Sequence, residues 1–295
     1  MLKRSRGEKM FAVFNGIILL FVVFVCAYPL YYVICASFSD PSELMRHNGF
    51  IAAPLNFNLN AYKTVLQNPE IYTGYFNTII YVVFGAALSV VMTLLGGYCM
   101  SRKNLLWNKA ITLIFVFVMY FNGGLIPTYL IMESLGLTDT RLIMIVFGAC
   151  STYNMIIVRT TIYGIPDSLE EAAMIDGASP MTILIKVIAP LCKPTLAVIG
   201  LFCIFTKWND WFNPMIFLQS RSKYPLQTFL RELLIVKESQ GTGGEQAMRD
   251  AANASLNKYV IQYCTIVVST VPVLVAYPFL QKYFASGVMV GAVKG

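Results

Sequence analysis

The chain has 295 residues, of which 57% are hydrophobic and only 13% charged, and its mean hydropathy is +0.64. Soluble domains carry about 25% charged residues, so this composition excludes an ordinary soluble domain and describes a chain that lives in a membrane. The net charge of +7 does not speak for nucleic acid, because Lys3, Arg4, Arg6 and Lys9 crowd the extreme N-terminus, where basic residues beside a first apolar segment hold it on the cytoplasmic side.

Residues 1–10 therefore read as a cytoplasmic tail. The apolar run 11–38 is longer than the roughly 7–15 residues of a signal-peptide core, and it predicts a retained first span. Further runs at 75–100, 111–132, 142–163, 195–218 and 259–283 are each long enough for a helical crossing. The expectation is an all-α polytopic membrane protein of about six spans, with one membrane domain over 11–284, a C-terminal tail over 285–295 and both termini cytoplasmic. Arg102, Lys103 and Lys109 in the first inner turn and Lys186 and Lys193 in the second agree with that orientation. The outer segments 39–74 and 220–258 are large; they are either connectors or a face that receives an extracellular partner. In the second of them Gly241-Thr242-Gly243-Gly244 lacks the Lys-Ser or Lys-Thr of a phosphate-binding loop and reads as a turn. Pro29, Gly123, Gly124, Pro127, Pro272 and Pro278 interrupt apolar helices, as membrane helices tolerate when neighbours satisfy the freed backbone groups.

Between the fourth and fifth spans, residues 165–190 are too polar to cross and too patterned for a linker. Ser168 with Glu171 makes a capping-box pattern before Leu169-Glu170-Glu171-Ala172-Ala173-Met174, Gly177 supplies a stop, and Ser179-Pro180 supplies a new N-cap and first turn. The second helix carries an apolar face of Ile183, Leu184, Val187 and Ile188, with Lys186 turned away, and ends before Pro190. This pattern predicts an acidic-tipped helical hairpin on the cytoplasmic side. Physically it serves either as a lever for a soluble partner or as an amphipathic interfacial loop.

Glu171-Ala172-Ala173, Asp176-Gly177-Ala178 and Ile188-Ala189-Pro190 resemble the EAA motif of permease subunits in bacterial ABC importers. The likeness extends over nearly the whole chain to the maltose-permease-like second subunits of carbohydrate importers, through Phe121-Asn122-Gly123-Gly124-Leu125-Ile126-Pro127, Leu135-Gly136-Leu137-Thr138-Asp139-Thr140, Trp208-Asn209-Asp210-Trp211 and Gly291-Ala292-Val293-Lys294-Gly295. The first of these, with Tyr224-Pro225-Leu226-Gln227, is most like permeases of oligosaccharide and uronate-oligomer importers. The resemblance implies a type I importer fold in which Glu171 and Gly177 are the docking acid and hinge of a coupling helix, supported by Ala172, Ala173, Asp176 and Ala178. It also implies a second homologous permease subunit, two ATP-binding subunits that carry ATP and magnesium, and an extracellular or periplasmic solute-binding protein. No cofactor is implied on this chain. The family often has Leu at the position of Ala189, a departure that touches local packing only.

In the fifth span Lys207, Trp208, Asn209, Asp210 and Trp211 interrupt a membrane segment, where ionisable groups cost at least about 2–3 kcal/mol unless paired or wet. Lys207 and Asp210 are spaced to pair on one helix face, and Trp208 and Trp211 to offer aromatic surface beside Asn209. The cluster therefore reads as sugar-lining, as a structural ion pair, or as an interfacial aromatic belt. Asn77, Asn122, Tyr153, Asn154 and Arg159 lie in or beside spans, Gln262, Thr265 and Ser269 form a polar stripe on the sixth span, and packing hydrogen bonds explain most of these residues. The seven cysteines show no CxxC spacing and behave as small hydrophobes. The single histidine, His47, lies in an outer loop, and no HExxH, GxSxG or Walker A sequence occurs, so neither catalysis nor ATP binding is expected here. A secondary transporter or channel is the competing function, since an intramembrane Lys and Asp suit ion coupling; the capped hairpin argues against it.

Overall fold

The computed structural model describes residues 6–102, 105–235, 259–272, 274, 275 and 278, and its regular elements are helices throughout. Residues 1–5, Lys103, Asn104, the segment from 236 to 258, the end of the sixth predicted span and the tail 285–295 with its glycine-bounded motif lie outside the described residues. The chain divides into two compact units, one of Met1–Pro69 with Glu232–Pro272 and one of Glu70–Arg231 with Val273–Gly295.

The first unit opens with α1 (Arg6–Ser37), whose 32 residues reach about 48 Å at 1.5 Å per residue, more than the roughly 30 Å of a hydrocarbon core. Its apolar side chains from Met10 to Val25 are all exposed, as a helix surrounded by lipid requires. The outer segment folds back on its C-terminal end: the Tyr28 and Phe50 rings stack at 3.9 Å, the Ile51 N–H donates to the Tyr28 hydroxyl at 3.1 Å, and the Tyr31 hydroxyl donates to the Ala52 carbonyl at 2.6 Å. Asp40 caps α2 (Pro41–Arg46) by accepting from the Ser42 and Glu43 N–H groups. The Ser42 hydroxyl, ahead of those N–H groups, holds its carboxyl below the ordinary carboxylate range. On α3 (Asn60–Gln67) Tyr62 stacks on Phe38 at 4.8 Å and bonds the Ser37 hydroxyl at 2.8 Å.

The second unit is organised on α4 (Pro69–Ser101), which is unbroken. Its buried face carries, beside Ile71, Tyr81, Val82, Tyr98 and Met100, a run of small and hydroxylated residues, Gly74, Thr78, Gly85, Ala86, Ser89, Thr93 and Gly97, at helical spacing. A Cβ at Gly97 would lie 2.8 Å from Val158 Cβ, so glycine here is what lets a neighbouring helix approach. The third predicted span is two helices, α5 (Asn108–Tyr120) and α6 (Leu125–Ser134), bent by 113°. The reason is local: Gly124 takes φ +92°, and the Asn122 side chain accepts from its N–H at 2.9 Å, satisfying the broken turn.

The fourth predicted span is also broken, into α7 (Arg141–Val146) and α8 (Thr152–Tyr163), across Gly148 at φ +73°. Thr140 caps α7 and Ser151 caps α8. After α9 (Asp167–Ile175), α10 (Pro180–Leu191) runs through a π turn at Leu184–Ile188 and past Pro190, then bends by 82° into α11 (Lys193–Trp208). The fifth predicted span stops at Trp208 and resumes as α12 (Phe212–Phe217). There Asp210 accepts from the Asn213 N–H at 3.1 Å, so the polar cluster is spent on a helix break. Between the fifth and sixth predicted spans, α13 (Leu226–Ile235) is amphipathic and buries Leu226, Phe229 and Leu230. The described part of the sixth predicted span, α14 (Tyr259–Pro272), belongs to the first unit. It packs on α1, Tyr263 meeting Tyr32 at 6.0 Å and the Cys264 thiol donating to the Ser37 carbonyl at 3.2 Å. Its expected polar stripe faces inward, with Thr265 and Ser269 buried.

Candidate coupling hairpin and membrane cavity

The hairpin begins two residues earlier than its capping pattern suggests. α9 starts at Asp167 behind Pro166, and Ser168 makes no cap hydrogen bond, because Pro166 fixes the entry and Asp167 already lies in the first turn. The end follows the sequence closely. Gly177 adopts φ +79°, its N–H donates to the Met174 carbonyl at 3.0 Å and that of Ala178 to the Ala173 carbonyl at 2.9 Å. This is a Schellman closure, which glycine permits without Cβ strain. Ser179 then caps α10, accepting from the Thr182 N–H at 3.3 Å.

α10 anchors the hairpin. Ile183, Leu184 and Ile188 are buried with Tyr98, Val158, Ile162, Cys192 and Ile199, and Val187 packs against them while Lys186 stays exposed. Of the six residues expected to dock a partner, Glu171, Ala172, Asp176 and Gly177 are exposed. Ala173 and Ala178 instead pack against the buried cluster, so their small size serves closeness to α10. The tip adds residues that the polar reading of the loop passed over: Ile175 is 86% exposed and Met174 54%. Isolated apolar residues inside an otherwise polar segment were the available signal.

A second missed feature ties this hairpin to α4. Arg102, just past the end of α4, makes a bidentate bond to Glu170 and lies over the Tyr98 ring at 4.1 Å from its centroid. The Tyr98 hydroxyl reaches the Pro180 carbonyl at 3.4 Å, so one end of α4 grips both helices of the hairpin. The spacing of Arg102 and Glu170 in sequence gives no hint of the pair. At the other end of α4, Asn77 donates to the carbonyls of Ser222 and Tyr224, Tyr81 to that of Lys223, and Thr78 accepts from the Leu226 N–H. Asp139 fastens the same segment, accepting from both the N–H and the hydroxyl of Ser220 and from Lys223.

A cavity of about 1390 Å³ lies along α8 and α11, reaching from Pro166 and Leu169 of the hairpin to Lys207. Its polar wall is made of neutral groups, including Ser89, Ser151, Asn154, Thr160, Thr195 and Thr206, together with Lys207. The Thr160 and Thr206 hydroxyls donate to carbonyls of their own helix, which leaves oxygen lone pairs to accept. Tyr153 and Asn154, expected to be packing residues, line this cavity, and Tyr153 is 65% exposed.

The fifth-span cluster divides. Lys207 lines the cavity and makes no hydrogen bond to Asp210: its ammonium donates to the carbonyls of Met144 and Phe147, each at 2.7 Å, at the C-terminal end of α7. Asp210 is held by Asn213 and Asn209 donates to the Phe205 carbonyl. Trp211 meets Phe212 edge-on and carries Arg231 over its ring, while Trp208 is half-buried. Trp208, Asn209, Asp210 and Trp211 are not on the cavity wall. No cluster of His, Cys, Asp or Glu able to hold a metal occurs among the described residues, and the seven cysteines are free.

Apolar helices long enough to cross a membrane, an exposed hairpin seated on a buried cluster and an adjoining cavity fit a transport permease. The comparisons name its family. Residues 104–212 match the family described as the binding-protein-dependent transport system inner membrane component. The chain is 36% identical, over 95% of its length and 96% of the relative's, to the polygalacturonan/rhamnogalacturonan transport system permease protein YtcP of Bacillus subtilis (strain 168). It is 34% identical to protein LplC of the same organism, over 99% of this chain and 97% of that one. A crystal structure of a bacterial ABC transporter involved in the import of the acidic polysaccharide alginate contains a chain with 33% identity and a TM-score of 0.86, over 96% of this chain and 100% of that one. The protein belongs to this family and is an inner-membrane permease subunit of an ABC importer; it is not itself an enzyme. Nothing among these relatives supports a secondary transporter or channel.

Proposed function

We propose that this permease forms half of a translocation pathway for an oligosaccharide, and that Glu171, Ala172, Asp176 and Gly177, backed by Ala173 and Ala178, couple it to a separate ATPase. The hairpin carries the proposal. Its outer helix is exposed and acidic with an apolar tip at Ile175, and its second helix is seated in the buried cluster with Tyr98, Val158 and Ile199, so a push on one is delivered to the other. Closure of two ATP-binding subunits, which hold ATP and magnesium, drives the hairpin, and a bundle spanning 11–284 rocks between inward-open and outward-open states. The second homologous permease completes the pathway, and a solute-binding protein, expected from the family's description, delivers the substrate to outer loops 39–74 and 220–258. In this arrangement both termini are cytoplasmic.

The carbohydrate reading is supported by the relatives' substrates and by the cavity's chemistry. About 1390 Å³ exceeds the roughly 300–1,000 Å³ of a pocket for one small molecule, which suits a chain of sugar rings. Hydroxyl oxygens with free lone pairs and the Asn154 amide match sugar hydroxyls. Lys207 remains a pathway residue in this proposal, whereas Trp208, Asn209, Asp210 and Trp211 act by shaping and bracing the break above it.

The test is ATP-dependent uptake of labelled oligosaccharides into vesicles holding the full assembly, comparing the native chain with Glu171→Ala and Gly177→Asp. Uptake is expected to fall about tenfold or more while the assembly co-purifies intact, the loss expected when a charge-assisted contact at an interface is removed. Undiminished uptake, or flux without ATP, overturns the coupling role.

A further inference from the structure

We infer that Lys207 is the residue by which this cavity selects a negatively charged saccharide, its ammonium receiving a sugar carboxylate. The inference rests on the carbohydrate reading above and deepens it.

Lys207 is the one basic side chain on the cavity wall, which carries no Asp or Glu; the remaining polar lining includes Ser89, Asn154, Thr160 and Thr206. Its stem is accommodated by a glycine: a Cβ at Gly85 on α4 would lie 3.1 Å from Lys207 Cε. The ammonium has three N–H donors. Two go to the Met144 and Phe147 carbonyls, which orient the group but carry no charge to offset it. The nearest candidate counter-ion in sequence, Asp210, spends its carboxylate on the Asn213 side chain and N–H at 2.9–3.1 Å. Lys207 is thus fixed in position on the cavity wall, with one donor left over and no carboxylate hydrogen-bonded to it among the described residues.

A lysine in a membrane segment costs free energy unless a partner or water offsets it. If its task were only to cap the broken fourth span, a neutral amide donor would do so without that cost. A single fixed charge in a cavity walled by low-dielectric helices focuses its field on whatever enters, which favours an anion over a neutral solute of the same shape. Each uronic acid ring brings one carboxylate, and its hydroxyls find the neutral oxygens along α8 and α11. An ammonium–carboxylate contact of this kind gives selectivity without tight capture, because two of the donors stay on protein carbonyls.

The experiment compares uptake of trigalacturonate and of its full methyl ester, matched in size but uncharged, into proteoliposomes with the complete importer and binding protein. Native, Lys207→Arg and Lys207→Gln chains are compared after confirming equal assembly. The expected result is a fall of about tenfold or more in trigalacturonate uptake for K207Q, retention within about threefold for K207R, and little change for the ester. Equal loss of both saccharides in K207Q, or native rates for both, overturns the inference and leaves Lys207 a structural pin or a bystander. Should K207Q not assemble, the salt dependence of native uptake decides: added salt must slow trigalacturonate more than the ester, and equal slowing overturns the inference. Native uptake of the ester alone overturns it while leaving the carbohydrate reading standing; native uptake of neither removes both.

Discussion

Asp139 draws four donors onto one carboxyl, the N–H groups of Gln219 and Ser220, the Ser220 hydroxyl and the Lys223 ammonium, while sitting at φ +52°. The Ser220 hydroxyl first, then its N–H and Lys223, hold this carboxyl well below the ordinary carboxylate range. A depressed folded value means that the stabilisation is fully present above the unfolded carboxylate value near 4 and is lost as pH falls through the folded one. The difference in melting temperature between native chain and Asp139→Asn should therefore be largest near neutral pH and shrink below about pH 4; a difference that grows on acidification refutes this role. Arg102 and Glu170 offer a second residue-scale test, since their side chains are 27% and 13% exposed. Arg102→Gln should cost about 1–2 kcal/mol of stability, discounted for partial exposure. The reversed pair Arg102→Glu with Glu170→Arg should recover part of it in thermal unfolding, and full additivity of the two single changes excludes direct coupling. Neither cluster was legible beforehand: Asp139 and Ser220 are 81 residues apart and Arg102 and Glu170 are 68 apart, and charge alone does not say which partner a residue will find.

α4 shows what an element can tell in advance and what it cannot. Its apolar run gave the span, and its small residues at helical spacing give a close-packing face once the neighbouring α8 is known. Gly97→Leu should disrupt that contact, because the first added carbon already meets Val158 Cβ at 2.8 Å; overpacking of this kind costs about 1–3 kcal/mol. Gly16→Leu on α1, with open space around its Cβ, should leave the melting temperature of the purified assembly unchanged, and equal effects of the two refute the packing argument. The broken elements divide by the strength of their signal. Asn122-Gly123-Gly124 and Pro127 marked the third span as interrupted, although not as bent by 113°. The fourth broke at a lone Gly148 inside an apolar run, where periodicity continues across the gap and conceals it. In the fifth, residues 207–211 read equally as sugar-lining, an ion pair or an aromatic belt, and the structure sets Lys207 on the cavity wall while Asp210 accepts from the Asn213 N–H at a helix break.

At the scale of the whole molecule, the exposed hairpin tip sets the most direct test of how the chain meets its ATPase. In a background with the native cysteines replaced, Ile175→Cys, at a residue 86% exposed, should cross-link to a purified ATP-binding subunit, whereas Ile183→Cys, at a residue fully buried, should not. Cross-linking at neither position, in an assembly that hydrolyses ATP, refutes docking through this tip. By itself the sequence determined the solvent, the class and the hairpin: an apolar chain has only helices with which to satisfy its backbone in lipid, and the glycine stop at 177 and Ser179-Pro180 start are local chemistry that needs no distant partner. Only the tertiary structure decided which of the polar residues face the cavity, that Lys207 leaves Asp210 for two carbonyls, and that Arg102 binds the hairpin. The reason is that a charge or hydroxyl takes whichever partner the packed helices bring within about 3 Å, and that choice depends on the breaks and bends that place one helix against another.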